Sequence, residues 1–108
     1  MSVAVHYHRN VHDDIEGIAE YIANDSMDAA VRFTPAVDAT IRMLSEWPGM
    51  GGLKQFDDAR LAGIRSCSVK GFPNHLILYR RDPDGAIRIL TVTHGARNLA
   101  GILLRRLP

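Results

Sequence analysis

An α+β fold, with a mostly antiparallel sheet packed on an antiparallel helical hairpin, is what this sequence predicts. Three observations predict it: an alternating segment at the start, two helix-period segments with a very short link, and three strand-like runs separated by turn signals. With 108 residues, no internal repeat and no linker-like tract, the chain is expected to form one domain, 1–108.

In "VAVHYH", 3–8, Val3, Val5 and Tyr7 alternate with Ala4, His6 and His8, which is strand periodicity. Asn10 then offers a cap for a first helix, with Asp13 and Asp14 near the positive end of its dipole. Val11, Ile15, Ile18 and Ile22 form its apolar stripe, and the helix should reach about Asn24. Ser26 offers the next cap, for a helix whose stripe is Ala30, Phe33, Val37, Ile41 and Leu44 and which ends before "WPGMGG" at 47–52. Pro35 lies inside that helix, so a kink or a later start is expected.

Residues 53–60 carry no clear pattern, and strands are expected at roughly 62–70, 74–82 and 86–94. "DPDG", 82–85, combines proline's fixed φ with a glycine able to take positive φ, so the last two strands should form a hairpin. "ARNLAGILLRR", 96–106, could close the chain as a short helix with Leu99, Ile102, Leu103 and Arg106 on one side. One helical hairpin covers one sheet face. The other face, partly apolar and studded with arginines, is expected to stay open for a partner.

Composition narrows the function classes. Hydrophobic residues make up 46% and no apolar run approaches the length of a membrane span, so no membrane partner is expected. "MSVAVHYHRNVHDD" lacks a basic segment followed by an apolar one; no secretory signal, and hence a cytoplasmic protein, is the expectation. The lone Cys67 excludes an intrachain disulfide and should fill a strand position. A net charge of +1 hides a strong polarity: residues 1–53 carry eight acids and three bases, residues 54–108 ten bases and four acids. Such asymmetry suggests a basic surface that meets an acidic partner or a nucleic acid; mutual neutralisation of the two halves is the plainer alternative.

His6, His8 and His12 do not make a metal site, because His12 lies past a turn and no fourth ligand is in reach; no metal or other cofactor is expected. Trp47, at a helix end, is expected to plug the base of the helical hairpin. "GMGG", 49–52, lacks the lysine and the strand-to-helix setting of a phosphate loop and is taken as a flexible connection.

The helical hairpin followed by "WPGMGG", "GIRSCSV" and "HLILYRRDPDGAIRILTVTHGARNL" resembles the RelE/ParE superfamily of bacterial type II toxins, and more closely its ParE branch. The pieces that carry the resemblance are Pro48 to Gly51, Arg65, the pair Tyr79 and Arg80, and the exit from His94 to Asn98. It implies a β-α-α-β-β-β(-α) toxin bound in a hetero-oligomer by a cognate ParD-like antitoxin. ParE-like members poison DNA gyrase, whereas RelE-like members cut messenger RNA on the ribosome.

RNA cleavage of the latter kind needs a base, an acid and cations around the phosphorus. The candidates are Arg65, His94 and Arg97, supplemented by Lys54, Arg81 and Tyr79, and the region after His94 offers no tyrosine. Gyrase poisoning needs a binding surface only, so it is the preferred reading, with an inactive antitoxin-binding module as a further alternative. Arg97, Arg105 and Arg106 are the target-binding candidates by charge and expected exposure. For the antitoxin, Leu90, Val92, Ile102 and Leu103 would supply apolar contact and Arg65, Arg80 and Arg81 ion pairs. Tyr79, in mid-strand, is expected to pack rather than to catalyse.

Overall fold

In the computed structural model, which describes residues 1–108, the first strand is β1, Val5–Tyr7, shorter than the alternating segment. Helix α1 spans Val11–Ala23. Asn10 sits at its start without the expected side-chain cap, and its own N–H donates to Nδ1 of His8 at 3.1 Å. Helix α2 spans Met27–Glu46, and here the cap forms: Oγ of Ser26 accepts the N–H of Ala29. Neither a late start nor an interruption occurs at Pro35. Proline cannot donate to the carbonyl of Val31, but both residues are exposed, so water can supply that bond.

The remaining elements are β2, Gly52–Leu53; a 3-10 turn, Ala59–Leu61; β3, Arg65–Val69; β4, Phe72–Arg81; β5, Ile87–His94; and α3, Leu99–Arg106. Together the strands make one five-stranded sheet in the order β1-β5-β4-β3-β2. Only the β1–β5 pair is parallel. In the β4–β5 link Gly85 takes φ 91°, and its N–H donates to the Asp82 carbonyl at 2.9 Å, as the turn chemistry requires. Short β2 falls in a stretch with no legible pattern, so "GMGG" leads into an edge strand instead of a loose connection.

The main core lies between the sheet and the helical hairpin. Val11, Ile15, Phe33, Val37, Ile41 and Leu44 meet Val69, Ile77, Tyr79, Ile87, Ile89 and Val92 there. Val92 is a departure from simple alternation. Tyr79 faces Ile89 while Leu78 faces Thr91, so Leu90 is an additional, unpaired residue: a β-bulge. The bulge reverses the parity of β5, turning Val92 towards the helices and leaving Leu90 on the opposite face.

That opposite face is not open. Leu78 and Leu90 are buried beneath Leu61 and Ile64, from the turn and the loop that follows it, and Leu103 of α3. Phe56, Leu99, Leu104 and Leu107 extend the cover. The chain thus seals the centre of the sheet's back, contrary to expectation, because an aperiodic segment and a two-turn helix supply single anchors that no repeat pattern announces. Three of the apolar antitoxin candidates, Leu90, Val92 and Leu103, are thereby consumed by the cores; Ile102 stays half-buried.

Candidate functional site

The motif residues converge first on the loop after α2. Tyr79 is wholly buried, yet its hydroxyl reaches the loop, donating to the Pro48 carbonyl at 2.7 Å and accepting the Gly51 N–H at 2.9 Å. Burial, as the largest cause, raises the Tyr79 pKa above its ordinary value, against the smaller opposing pull of the Gly51 N–H. On the neighbouring strand Arg65, directly opposite Tyr79, donates to the Gly51 carbonyl at 2.7 Å and to that of Gly49 at 3.4 Å. Gly51 must lack a side chain: a Cβ there would lie 2.6 Å from Oη of Tyr79 and 2.9 Å from the backbone oxygen of Ser66. Pro48 to Gly51, Arg65 and Tyr79 therefore form a clamp that ties this loop to β3 and β4, and Arg65 is not a free cation on the sheet's back. Trp47, at the loop's start, is 67% exposed and does not plug the hairpin. With Met50 and Leu53, both also exposed, it forms an apolar rim beside β2.

A second assembly lies at the far end of β5. β1 stops opposite Ile89, so β5 from Leu90 onward has no strand neighbour on that side. Asp14 of α1 covers part of this edge: one carboxylate oxygen accepts the Thr91 hydroxyl at 2.9 Å and the Val92 N–H at 3.3 Å. Arg106 of α3 completes it, donating to both carboxylate oxygens at 2.9 and 2.8 Å and to the Leu90 carbonyl at 2.9 Å. The two side chains are 13% and 16% exposed, for Arg106 and Asp14. Arg106 is thus a structural staple and not an exposed target-binding residue.

Beyond this staple, a groove of about 750 Å³ runs between α1 and the end of the sheet, lined by Ile18, Tyr21 and Ile22 on one wall and by His75, His94 and Arg97 on the other. His75 and His94 stack edge to face with ring centroids 5.3 Å apart. The His75 pKa is lowered, chiefly by burial and then by His94. Arg97 is exposed and outside every ion pair of the chain, and Arg105 is likewise exposed and unpaired.

His94 and Arg97 thus share a site, but Arg65 does not join them. His94 pairs with His75 and Arg65 with Tyr79, four residues along β4, a displacement of about 13 Å in addition to the separation across strands. Of the supplementary candidates, Tyr79 belongs to the clamp, Lys54 follows β2, and Arg81 donates to the Gly85 carbonyl at 3.0 Å. His12, in α1, contacts Glu16 at 2.9 Å, and no group of three or more potential metal ligands is gathered. Cys67 takes its expected strand place, facing Ile77, with its thiol pKa raised by burial.

No helix is long and apolar enough to cross a membrane. The family model for the ParE toxin of the type II toxin-antitoxin system parDE matches residues 5–99. Among solved structures, the chain is similar to one from the chromosomal ParDE toxin-antitoxin system of P. aeruginosa. That match has a TM-score of 0.66 at 14% identity and covers 86% of this chain and 96% of the other. A chain of the RelBE2 toxin-antitoxin complex of Mycobacterium tuberculosis matches with a TM-score of 0.60 at 21% identity, over 87% of this chain and 99% of that one. No curated protein matches.

Proposed function

This chain belongs to the ParE toxin family of type II toxin-antitoxin systems, and from that premise we propose that it acts in the cytoplasm by binding DNA gyrase and holding it in its DNA-cleaved state. A ParD-like antitoxin would silence it in a hetero-oligomer. One observation carries the preference for binding over RNA cleavage: Arg65, the charge stabiliser a nuclease would need beside His94 and Arg97, is spent on the carbonyls of Gly51 and Gly49, at least a strand's length of four residues away. A surface that only binds has no such requirement. Arg97 and Arg105, both exposed, are the target-binding residues of this reading.

For the antitoxin, the groove beside β5 offers what an extended, acidic segment would use. It has apolar Ile18 and Tyr21, the free cation of Arg97, and the last residues of β5, which have no strand neighbour on the β1 side beyond the Val92 N–H held by Asp14; Asp13 and Asp14 line the other end, so the segment's acidic side chains would sit at Arg97. Ile102 and Arg81 remain accessible as additional contacts.

Purified protein in a gyrase supercoiling assay, run beside a translating extract monitored for messenger RNA cleavage, tests the proposal. Inhibition of supercoiling with intact RNA supports it. Cleavage of ribosome-bound messages without gyrase inhibition would transfer the chain to the RelE-like alternative, and neither effect would make it an antitoxin-binding module.

A further inference from the structure

Three basic side chains, left over by the cores and the staple, line up at one end of the sheet's back. His6, Arg88 and Arg80 are direct partners across β1, β5 and β4, so the three side chains share a face in one row. Their face is the one away from the helices, since the neighbours Tyr79 and Ile89 point into the main core. Two guanidinium groups on directly opposed residues repel, and only Arg88 has an acid, Asp82, at 3.1 Å. Arg80 makes one weak bond, to the Arg60 carbonyl at 3.4 Å. His8 lies close by, on the same side of β1 as His6. Its pKa is lowered first by burial and then by the positive charges of Arg106, Arg9 and Arg88, with Asp14 opposing, so the field around the row is positive.

Exposed apolar side chains are absent from this row. Apart from the terminal Met1, the large ones lie elsewhere: Tyr21, Met27, Val31 and Met43 on the helical hairpin, Trp47 and Met50 in the clamped loop, and Tyr7 and Leu53 on strand positions shared with Ile89 and Arg65. A folding peptide needs apolar burial to offset its ordering, and a single-stranded nucleic acid needs aromatic faces on which to stack. A duplex backbone needs neither; it needs fixed cations.

We propose that the row His6–Arg88–Arg80 binds the phosphate backbone of duplex DNA. The row spans two inter-strand spacings, about 10 Å, which matches the axial length of about three phosphates on one strand. The choice of DNA over duplex RNA rests on the gyrase reading, because a toxin seated on that enzyme would lie beside its DNA. The cations act by position and charge, without reading sequence.

Fluorescence anisotropy of a labelled 20-base-pair DNA duplex, titrated with the isolated protein between 50 and 200 mM salt, tests this without gyrase. Log affinity should fall with log salt at a slope of about −1.8, from the two arginines of the row, with His6 contributing as a neutral hydrogen-bonding group at pH 7. Arg80→Gln should make that slope shallower by about 0.9, whereas Arg32→Gln, on the helical hairpin, should leave it unchanged. Because Arg80 has no acidic partner, its replacement spares the fold, and unchanged thermal unfolding verifies this. Salt-independent binding, equal slopes for Arg80→Gln and wild type, or preference for an RNA duplex or polyglutamate over DNA would overturn the proposal. Supercoiling measured on the same variant separates the two ideas. Full DNA binding without gyrase inhibition would sink only the target assignment, and gyrase inhibition untouched by loss of DNA binding would sink only a role for the row in poisoning.

Discussion

Tyr79→Phe removes one oxygen and nothing else, which makes it a clean test of the clamp. The ring stays in the core, so no cavity opens, but the bond to the Pro48 carbonyl is lost and the buried Gly51 N–H loses its acceptor. A net hydrogen bond contributes about 1 kcal/mol, and a buried donor left unpaired costs a further 1–3 kcal/mol or so. The expected loss is therefore about 2–3 kcal/mol, a fall in Tm on the order of 10 °C for a domain this size. Urea unfolding followed by circular dichroism, with the slope of free energy against urea unchanged, would measure it. The hydroxyl adds a signature in alkali. Its folded pKa is raised above the ordinary 10.0, so the unfolded chain gives up that proton first, and the associated stability is complete below pH 10 and drains away as pH climbs through the higher folded value. Phenylalanine lacks that dependence, and the gap between the two proteins should narrow in alkali. A loss below about 0.5 kcal/mol would show that the loop finds other partners and that the clamp is not what orders it.

Gly51→Ala should destabilise by more than about 2 kcal/mol, since the new methyl meets the backbone oxygen of Ser66 as well as the tyrosine; thermal unfolding within a degree or two of wild type would refute the packing argument. Asp14→Ala strands a nearly buried guanidinium and should cost about 3–5 kcal/mol, with much of that recovered in Asp14→Ala/Arg106→Met; additive losses in the double-mutant cycle would count against the staple. His75 and His8 both have lowered pKa values in the fold, so protons favour the unfolded chain. Their contribution is present above about pH 6.5 and is lost as pH falls through the depressed values, so His75→Phe should flatten the decline of the urea midpoint from pH 7 to 5. An unaltered decline would remove His75 as its source. Arg97→Ala, at an exposed position, should leave Tm within about 1 °C and abolish gyrase inhibition; full inhibition would remove Arg97 from the target surface.

The sealed back of the sheet changes the reason for expecting a partner there. An open, half-apolar face was the expectation, and the chain itself covers it with Leu61, Ile64 and Leu103. Family membership survives on the match over residues 5–99. The accessible features shift outward, to the groove beside β5, the apolar rim at Trp47 and the cationic row at the opposite end of the back.

The order of the helices and of the four longer strands, the Ser26 cap, the Asp82–Gly85 turn and the apolar stripes of both long helices were legible along the chain, because each depends on residues within a turn or two of one another; β2 and the 3-10 turn at Ala59–Leu61 were not. The resemblance to the RelE/ParE superfamily singles out Pro48 to Gly51, Arg65 and Tyr79, but the bonds that join them belong to the fold. What each charged group does was decided only by folding. Arg106 meets Asp14 across 92 residues, and Arg65 meets Gly51 across 14. One bulged residue, Leu90, turns Val92 from a surface candidate into core. Periodicity is a local signal, whereas the partner of a guanidinium and the parity of a strand after a bulge are set by tertiary register, which no short window of sequence contains.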